Sequence, residues 1–443
     1  MSRILVAASP APGHVNPLIA IAESLSKRGH RVTFNSADIF RSKAESAGLH
    51  FVPLQGKANL DYHLLDRNFP ERKTIEPGMP QLNYDMKYIF GDWIPDQYRG
   101  IKEIIEGQDI DLLITDFLFL GAFPLLLNSK EPRPPVLACG IAPVLMRTPD
   151  SSPFAGPDST PEGLLRNAEH NREFEELLTP AKEYIDEILQ GCGASPTPMF
   201  FMDAMYLLPD AFVQPTAAEF EYPMRDKPES FHFVGPALPE HPTSVEEPEW
   251  LKQIDGSRPV IFVTQGTIAN HDFNQLVNPT MQALADEDVD VIVTADGGDM
   301  ESIVTTPNSH VEQYLPYHLI LPKADIFITN GGYYGVQQAL SYGVPVISGG
   351  ATEDKPFVSA RVAWSGVGIN LQTGTPTPEQ ILAAVRQVLD DKKYRDGAKT
   401  MQQNYARYKA MDRITEIAES MIAERVEKTS GARAEKRILD PVL

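Results

Sequence analysis

ADIFITNGGYYGVQQALSYGVPVISGGATEDKP, residues 324–356, holds a strand, a turn, a helix and a second strand in one stretch. Residues 326–328 are apolar and of strand type, and the chain then breaks at Asn330-Gly331-Gly332. A helix-compatible segment runs on until Gly343-Val344-Pro345 ends it. A second apolar run, 344–347, leads into Gly349-Gly350 and the acidic pair Glu353-Asp354. This is the layout of a phosphate-binding βαβ unit. Glycines let backbone N–H groups approach an anion, and a helix N-terminus adds partial positive charge. A single glycine pair would serve equally as a plain turn, so the rest of the chain has to decide.

The chain has 443 residues, a length that predicts two domains. Its formal net charge of −21 argues against nucleic acid or an anionic membrane as a bulk partner, because binding phosphate backbones needs an excess of Lys and Arg. A phosphorylated small molecule can still be held by backbone amides. The two cysteines, Cys139 and Cys192, form no C-x-x-C pair and are too few for a disulfide framework. Residues 4–9 read as a first strand rather than a signal peptide, being cut short by Pro10, Pro12, Gly13 and His14. No apolar run approaches the ~18 residues that span a bilayer. A cytoplasmic protein without stable membrane insertion is expected.

The α/β rhythm starts at the N-terminus. Strands are expected at 4–8, 31–35 and 50–53, with helices at 17–27, capped by Asn16, and from 38 to about 48. Residues 54–80 read as a long loop, 80–106 as mostly helical, 111–115 and 135–139 as strands, and 141–161 as an exposed loop. A helix is expected at 160–189 and a last strand near 231–235. Residues 236–259 carry five prolines and an acidic cluster, the composition of a linker. The rhythm then restarts, with strands at 260–264, 289–294, 310–313, 326–328, 344–347 and 367–371. Helices are expected at 272–285, 378–389, 392–408 and 411–428. The division is therefore a first domain at 1–235, a linker at 236–258, a second domain at 259–410, a helix at 411–428 and a fraying tail at 429–443. Asp109 and Asp111 are spaced D-x-D, but they open a strand at the end of the sheet away from the glycine turns and read as solvated turn residues.

Two doubly wound units joined by a linker, with the segments GHVNP, TDF, PVIFVTQGT, YLPYHLIL and ITNGG…GVPVISGG…EDK in that order, resemble the family-one UDP-dependent glycosyltransferases of GT-B fold, microbial branch. The resemblance runs along nearly the whole chain. It implies two Rossmann-like domains facing each other across a cleft, acceptor on the first and nucleotide sugar on the second. It also implies a metal-independent, inverting transfer with no permanently bound cofactor, UDP-glucose being the commonest donor.

His14 falls in the first strand-to-helix turn and Asp116 at the end of a later strand, so both face one crevice. A hydroxyl acceptor needs a base, and imidazole, with an unperturbed pKa of ~6.5, suits that task. A carboxylate on its other nitrogen fixes the tautomer. Taken singly, each residue could equally cap or pack its turn. By resemblance His14 is the base and Asp116 its partner. By resemblance, too, Gly13, Gly266 and Thr267 lie at the phosphates, Tyr314 stacks on uracil and Leu315 offers its backbone to the base. Asn330, Gly331, Gly332, Tyr334 and Gly335 would contact the diphosphate, Gln338 the ribose, and Asp354 and Lys355 the sugar. Asn330 stands where the family usually has histidine, Gln338 where it has glutamate and Lys355 where it has glutamine; the last change leaves the sugar open.

The acceptor is expected to meet Tyr84, Tyr88, Trp93, Phe117, Phe119, Ile141 and Met146, a set suited to a small apolar natural product such as a flavonoid or another polyphenol, or to a sterol or other lipid acceptor. Each of these residues singly reads as well as plain core. Among rival readings, a GT-B nucleotide-sugar epimerase or cell-wall lipid glycosyltransferase would carry carboxylates or a membrane-facing basic patch near the first turn, and no basic cluster appears there. A catalytically silent nucleotide-sugar-binding protein fits Asn330 and Gln338 but leaves His14 and Asp116 unused. A NAD-dependent dehydrogenase would need a G-x-G-x-x-G that follows neither first strand.

Overall fold

The apolar runs of the sequence form the strands of two parallel sheets in a computed structural model that describes residues 1–128, 132–153, 155–238, 246–266 and 270–439. The first sheet contains β1 (Arg3–Ala7), β2 (Arg31–Ser36), β3 (His50–Pro53), β4 (Leu112–Asp116), β5 (Val136–Cys139), β6 (Ala211–Gln214) and β7 (Phe231–Phe233). Its spatial order is β3-β2-β1-β4-β5-β6-β7. The second contains β8 (Val260–Thr264), β9 (Asp290–Thr294), β10 (Ser309–Glu312), β11 (Ile326–Thr329), β12 (Val346–Ser348) and β13 (Gly368–Asn370), in the order β10-β9-β8-β11-β12-β13. The strands are near-continuous apolar runs because helices cover both faces of each sheet. In each sheet the order reverses between the first strand and the fourth, and ligands of open α/β sheets bind outside the strand ends at that switch point. In the first half it lies between β1 and β4, in the second between β8 and β11.

Helix boundaries depart from the sequence expectation where prolines are involved. The first helix, α1 (Pro12–Lys27), starts a turn early, with Pro12 at its first turn and Ala11 rather than Asn16 as N-cap; Asn16 Oδ1 instead accepts from Lys43 Nζ at 2.6 Å. Pro12 needs no N–H there, so it starts a helix as readily as Pro17. Residues 54–80 are not a plain loop but a chain of short helical turns that leads into Met79–Asp85, a π-helical turn Met86–Gly91 and α2 (Asp92–Gln108). Residues 141–153, expected to be exposed, run largely buried, Val144, Met146, Thr148 and Asp150 included, because they are covered by α3 (Pro161–Gly191) and by the second half. The helix Phe201–Leu207 and strand β6 have no counterpart in the sequence reading. In the second half the helix expected from 272 starts at Val277.

Two stretches of chain cross between the halves. The last helix, α6 (Ala410–Leu439), runs past the expected end at 428, and residues 440–443 lie outside the described residues. Its Ile414, Ile417, Ala418 and Ile422 are buried in one cluster with Val15, Leu18 and Leu25 of α1, so the C-terminal helix completes the core of the first half. In the other direction, Ala217 and Phe220 leave the end of β6 and bury themselves with Leu251, Val260, Phe327 and Val336 of the second half. The proline-rich linker falls partly outside the described residues, at 239–245. Among the described residues no helix is long and apolar enough to cross a membrane.

Truncating Ile414, 1% exposed, to alanine removes a buried branch from a core built by both ends of the chain. Ile414→Ala is expected to destabilise the first half by about 2–5 kcal/mol in denaturant unfolding; a change within experimental error would mean that α6 is not part of that core.

Candidate active site

At the first switch point, β1 delivers Ser9 and the N-terminus of α1, and β4 delivers Asp116. The register pairs Ala7 with Thr115, which places His14 and Asp116 at adjacent strand ends. His14 Nδ1 lies 2.9 Å from Asp116 Oδ1. Asp116, 1% exposed, also accepts from the Ser9 amide at 2.6 Å, the Ser9 hydroxyl at 3.2 Å and the Leu118 amide at 3.0 Å. A carboxylate with that many donors is held in one orientation, and it assigns the imidazole proton to Nδ1. Nε2 is then the nitrogen able to accept a proton. The His14 ring stacks on Phe90, with centroids 6.3 Å apart and an interplanar angle of 21°.

Opposite stands the second switch point. Asn330 follows β11, is nearly buried, and donates from Nδ2 to the carbonyl of Gln265, which follows β8. One amide proton of Asn330 is thus used to join the two strand ends. Gly331 has φ +91°, and a Cβ there would sit 2.6 Å from Ser348 Oγ, so only glycine fits. Gly350 is equally constrained: its Cβ would lie 2.0 Å from the Asn330 carbonyl oxygen. Gly332 caps α4 (Tyr333–Ser341), no side chain caps this helix, and its first amides are left to bind an anion. Gln265, Asn330, Gly349, Gly350, Thr352 and Lys355 line one cleft.

The segment between them carries the charge. Glu353 adopts a left-handed backbone, φ +58°, and its carboxylate pairs with Lys355 Nζ. Lys355 opens α5 (Lys355–Trp364) and is itself buried. Burial pushes the Glu353 carboxyl up, but Lys355, Arg72 and His14 outweigh it and hold it below the usual range. Asp354 is different: burial and the Glu353 charge push it up to about 6, with Lys355 and His14 opposing. The two halves therefore meet here, since acids of the second sense His14 of the first.

The remaining residues divide by position. Gly13 sits in the first turn of α1 beside His14; Gly266 has φ +71° and donates to Thr264 Oγ1 at 2.9 Å; Thr267 lies outside the described residues. Tyr314 is 68% exposed, whereas the side chain of Leu315 is core. Tyr334 and Gln338 lie on the more open face of α4, which also carries Gly335. On the acceptor side, Trp93 and Phe119 are each 1% exposed and belong to the core of the first half, so they offer a ligand no surface. Tyr84 and Tyr88 meet with their rings tilted at 59° and centroids 4.9 Å apart, and Tyr88 meets Tyr184 of α3 edge-on, which places the pair against that helix. Phe117 is nearly buried against Tyr206, Ile141 is half-buried, and Met146 lines a groove with Tyr222 and, from the opposing half, Phe357. Ser9, which holds Asp116 in place, and the Tyr333 hydroxyl were not singled out by sequence; Ser9 was accessible, being the residue that leaves β1. Among the described residues no cluster of His, Cys, Asp or Glu could hold a metal ion.

Residues 4–89 match the family model for the glycosyltransferase family 28 N-terminal domain, and residues 278–423 that for the erythromycin biosynthesis protein CIII-like C-terminal domain. The chain is 32% identical to UDP-glucosyltransferase B1 of Starmerella bombicola, over 95% of this chain and 98% of that one. It is also 32% identical to 4'-demethylrebeccamycin synthase of Lentzea aerocolonigenes, covering 95% and 100%. Among solved structures, the glycotransferase of kitacinnamycin superposes with a TM-score of 0.71 at 19% identity, over 95% of this chain and 98% of that chain.

Asp354 binds its proton more tightly folded, at about 6, than in the unfolded chain, where an aspartate has a pKa of ~3.9. Its stabilising contribution is fully present below the unfolded value and is lost as pH rises through the folded one. Asp354→Asn is therefore expected to raise the unfolding midpoint of the ligand-free protein at pH 8, and the gain should vanish by about pH 4. An unchanged difference across that range would mean that its surroundings do not raise the Asp354 carboxyl as described.

Proposed function

The chain belongs to the family-one UDP-dependent glycosyltransferases of GT-B fold, and on that premise we propose that it transfers glucose from UDP-glucose, with inversion, to a hydroxyl of a small apolar natural product. The observation that carries this reading is the His14–Asp116 pair, set at the switch point of the first sheet and facing the glycine turns of the second.

In the proposed reaction the acceptor hydroxyl lies at His14 Nε2. As its oxygen attacks the anomeric carbon, the proton passes to Nε2, the bond between that carbon and the diphosphate oxygen breaks, and UDP leaves with the bonding pair. Asp116 stabilises the imidazolium without itself taking the proton. The developing charge on the diphosphate falls on the uncapped amides at the start of α4, where Gly331 and Gly332 admit close approach. Tyr314 is exposed enough to take uracil against its ring, and the Leu315 backbone lies beside it. Gln338 is assigned to the ribose. Asp354 is assigned to the sugar hydroxyls. Lys355, engaged with Glu353, acts chiefly by setting the charge there rather than by reading the sugar itself. Phe90, Phe117, Ile141 and Met146 are the apolar side chains proposed to meet the acceptor; glucose as the sugar rests on its place as the family's commonest donor.

UDP release measured across several nucleotide sugars with a panel of phenolic acceptors tests the donor and the acceptor class together. Turnover is expected with UDP-glucose; turnover with another nucleotide sugar and none with UDP-glucose would refute that assignment. In the same assay His14→Ala should lower kcat by about 10²–10⁴. Near-normal kcat in that variant would remove His14 as the base.

A further inference from the structure

Tyr333 follows Gly332 directly, so its backbone is part of the turn assigned to the diphosphate, but its side chain runs the other way, into the seam between the halves. The ring is 5% exposed and lies 6.2 Å from Phe220. The hydroxyl donates to Glu221 Oε1 at 2.9 Å and accepts from Gln214 Nε2 at 2.8 Å. Gln214 is the last residue of β6, and its Nε2 also donates to the Ala142 carbonyl, 2.9 Å away, in the loop after β5. Glu221, fully buried, accepts from Arg361 Nε of α5 at 2.5 Å, and the Val144 amide stands 3.3 Å from both its oxygens. Arg361 then returns to the first half, donating from Nη2 to the Val144 carbonyl at 2.6 Å.

A buried tyrosine is often simple packing, and phenylalanine would fill the same space. Here the hydroxyl itself is what reaches across, with one partner on the first sheet and another on the strap that leaves it. A buried carboxylate and guanidinium cost desolvation that an apolar seam would avoid, which points to a requirement for geometry rather than for adhesion.

We propose that Tyr333 is a positioning residue for glycosyl transfer: its hydroxyl, held by Gln214 and Glu221, fixes the Gly331–Gly332 turn relative to His14. This rests on the assignment of that turn to the donor diphosphate. The glycine turn admits the diphosphate but, being glycine, has no side chain with which to set its own place. The neighbouring residue supplies one, anchored on the sheet that carries the base. Donor binding needs only the second half, whereas transfer needs both halves in register, so the two should separate on mutation.

The test uses Tyr333→Phe, Gln214→Met and the double variant in the full-length protein, measuring kcat and KM for the UDP-sugar that the wild type turns over, the Kd for UDP by calorimetry, and the thermal midpoint. Misplacing reacting groups by an ångström can cost about a hundredfold in rate. Tyr333→Phe is accordingly expected to lower kcat about ten- to a hundredfold while the UDP Kd is nearly unchanged. The double variant should be little worse than Tyr333→Phe alone, because the bond to Gln214 is already lost with the hydroxyl. Unchanged kcat, a Kd for UDP that weakens as much as kcat/KM falls, or losses that multiply in the double variant would each overturn the proposal. If Tyr333→Phe does not fold, Gln214→Met decides alone, with kcat lowered or not. UDP that binds the wild type but is not displaced from the turn, seen as an unchanged UDP Kd in Gly332→Val, would instead refute the diphosphate assignment.

Discussion

One buried carboxylate holds the two halves of this molecule in their mutual position. Glu221 has no solvent contact and is satisfied by a guanidinium, a phenol and a backbone amide drawn from three separate segments. Burial alone pushes its pKa up; Arg361 and the hydrogen bond from Tyr333 oppose that. Removing one partner of such a pair leaves a charge stranded in a low dielectric, at a cost of about 3–5 kcal/mol, although the intact pair adds little to stability over an apolar seam. What the pair contributes is direction. A hydrophobic seam tolerates sliding, and these hydrogen bonds do not. The two exchanged segments act alongside it: α6 completes the first core and residues 217–220 enter the second.

With the halves so fixed, the chemistry follows from topology. Both sheets have the same strand order up to their sixth strand, and the acids near the second switch point sense His14 at the first. The first switch point holds a histidine aimed by a carboxylate; the second holds glycine turns and an uncapped helix start. The charge between them is uneven. Lys355 holds the Glu353 carboxyl below its usual range against the effect of burial, while burial raises Asp354 to about 6, so that it is half protonated at that pH.

The sheets, the order of the halves and the histidine–aspartate pair were legible in the sequence, because parallel strands are continuous apolar runs and the turns carry glycine and proline. The glycosyltransferase family was legible in the order of short motifs. Helix starts were less so: Pro12 and Pro17 both suit a first turn, and the helix begins at the earlier one. The acceptor aromatics read poorly. Trp93 and Phe119 look like Tyr84 and Tyr88 on a helix or after a strand, and tertiary packing alone sends the first two into the core. The seam was invisible for a stronger reason. Glu221 sits in the unremarkable stretch AAEFEYP, 140 positions from Arg361. A pair at that distance leaves no local pattern.

The proposed reaction is a single displacement at the anomeric carbon, with His14 as the base on the face opposite the departing UDP. Its most direct test is the anomeric configuration of the glycoside formed from an α-linked UDP-sugar, read from the proton NMR coupling of the anomeric hydrogen. A β-linked product is predicted. An α-linked product would contradict the account, since His14 and the glycine turns would then be on the wrong sides of the sugar for the reaction described.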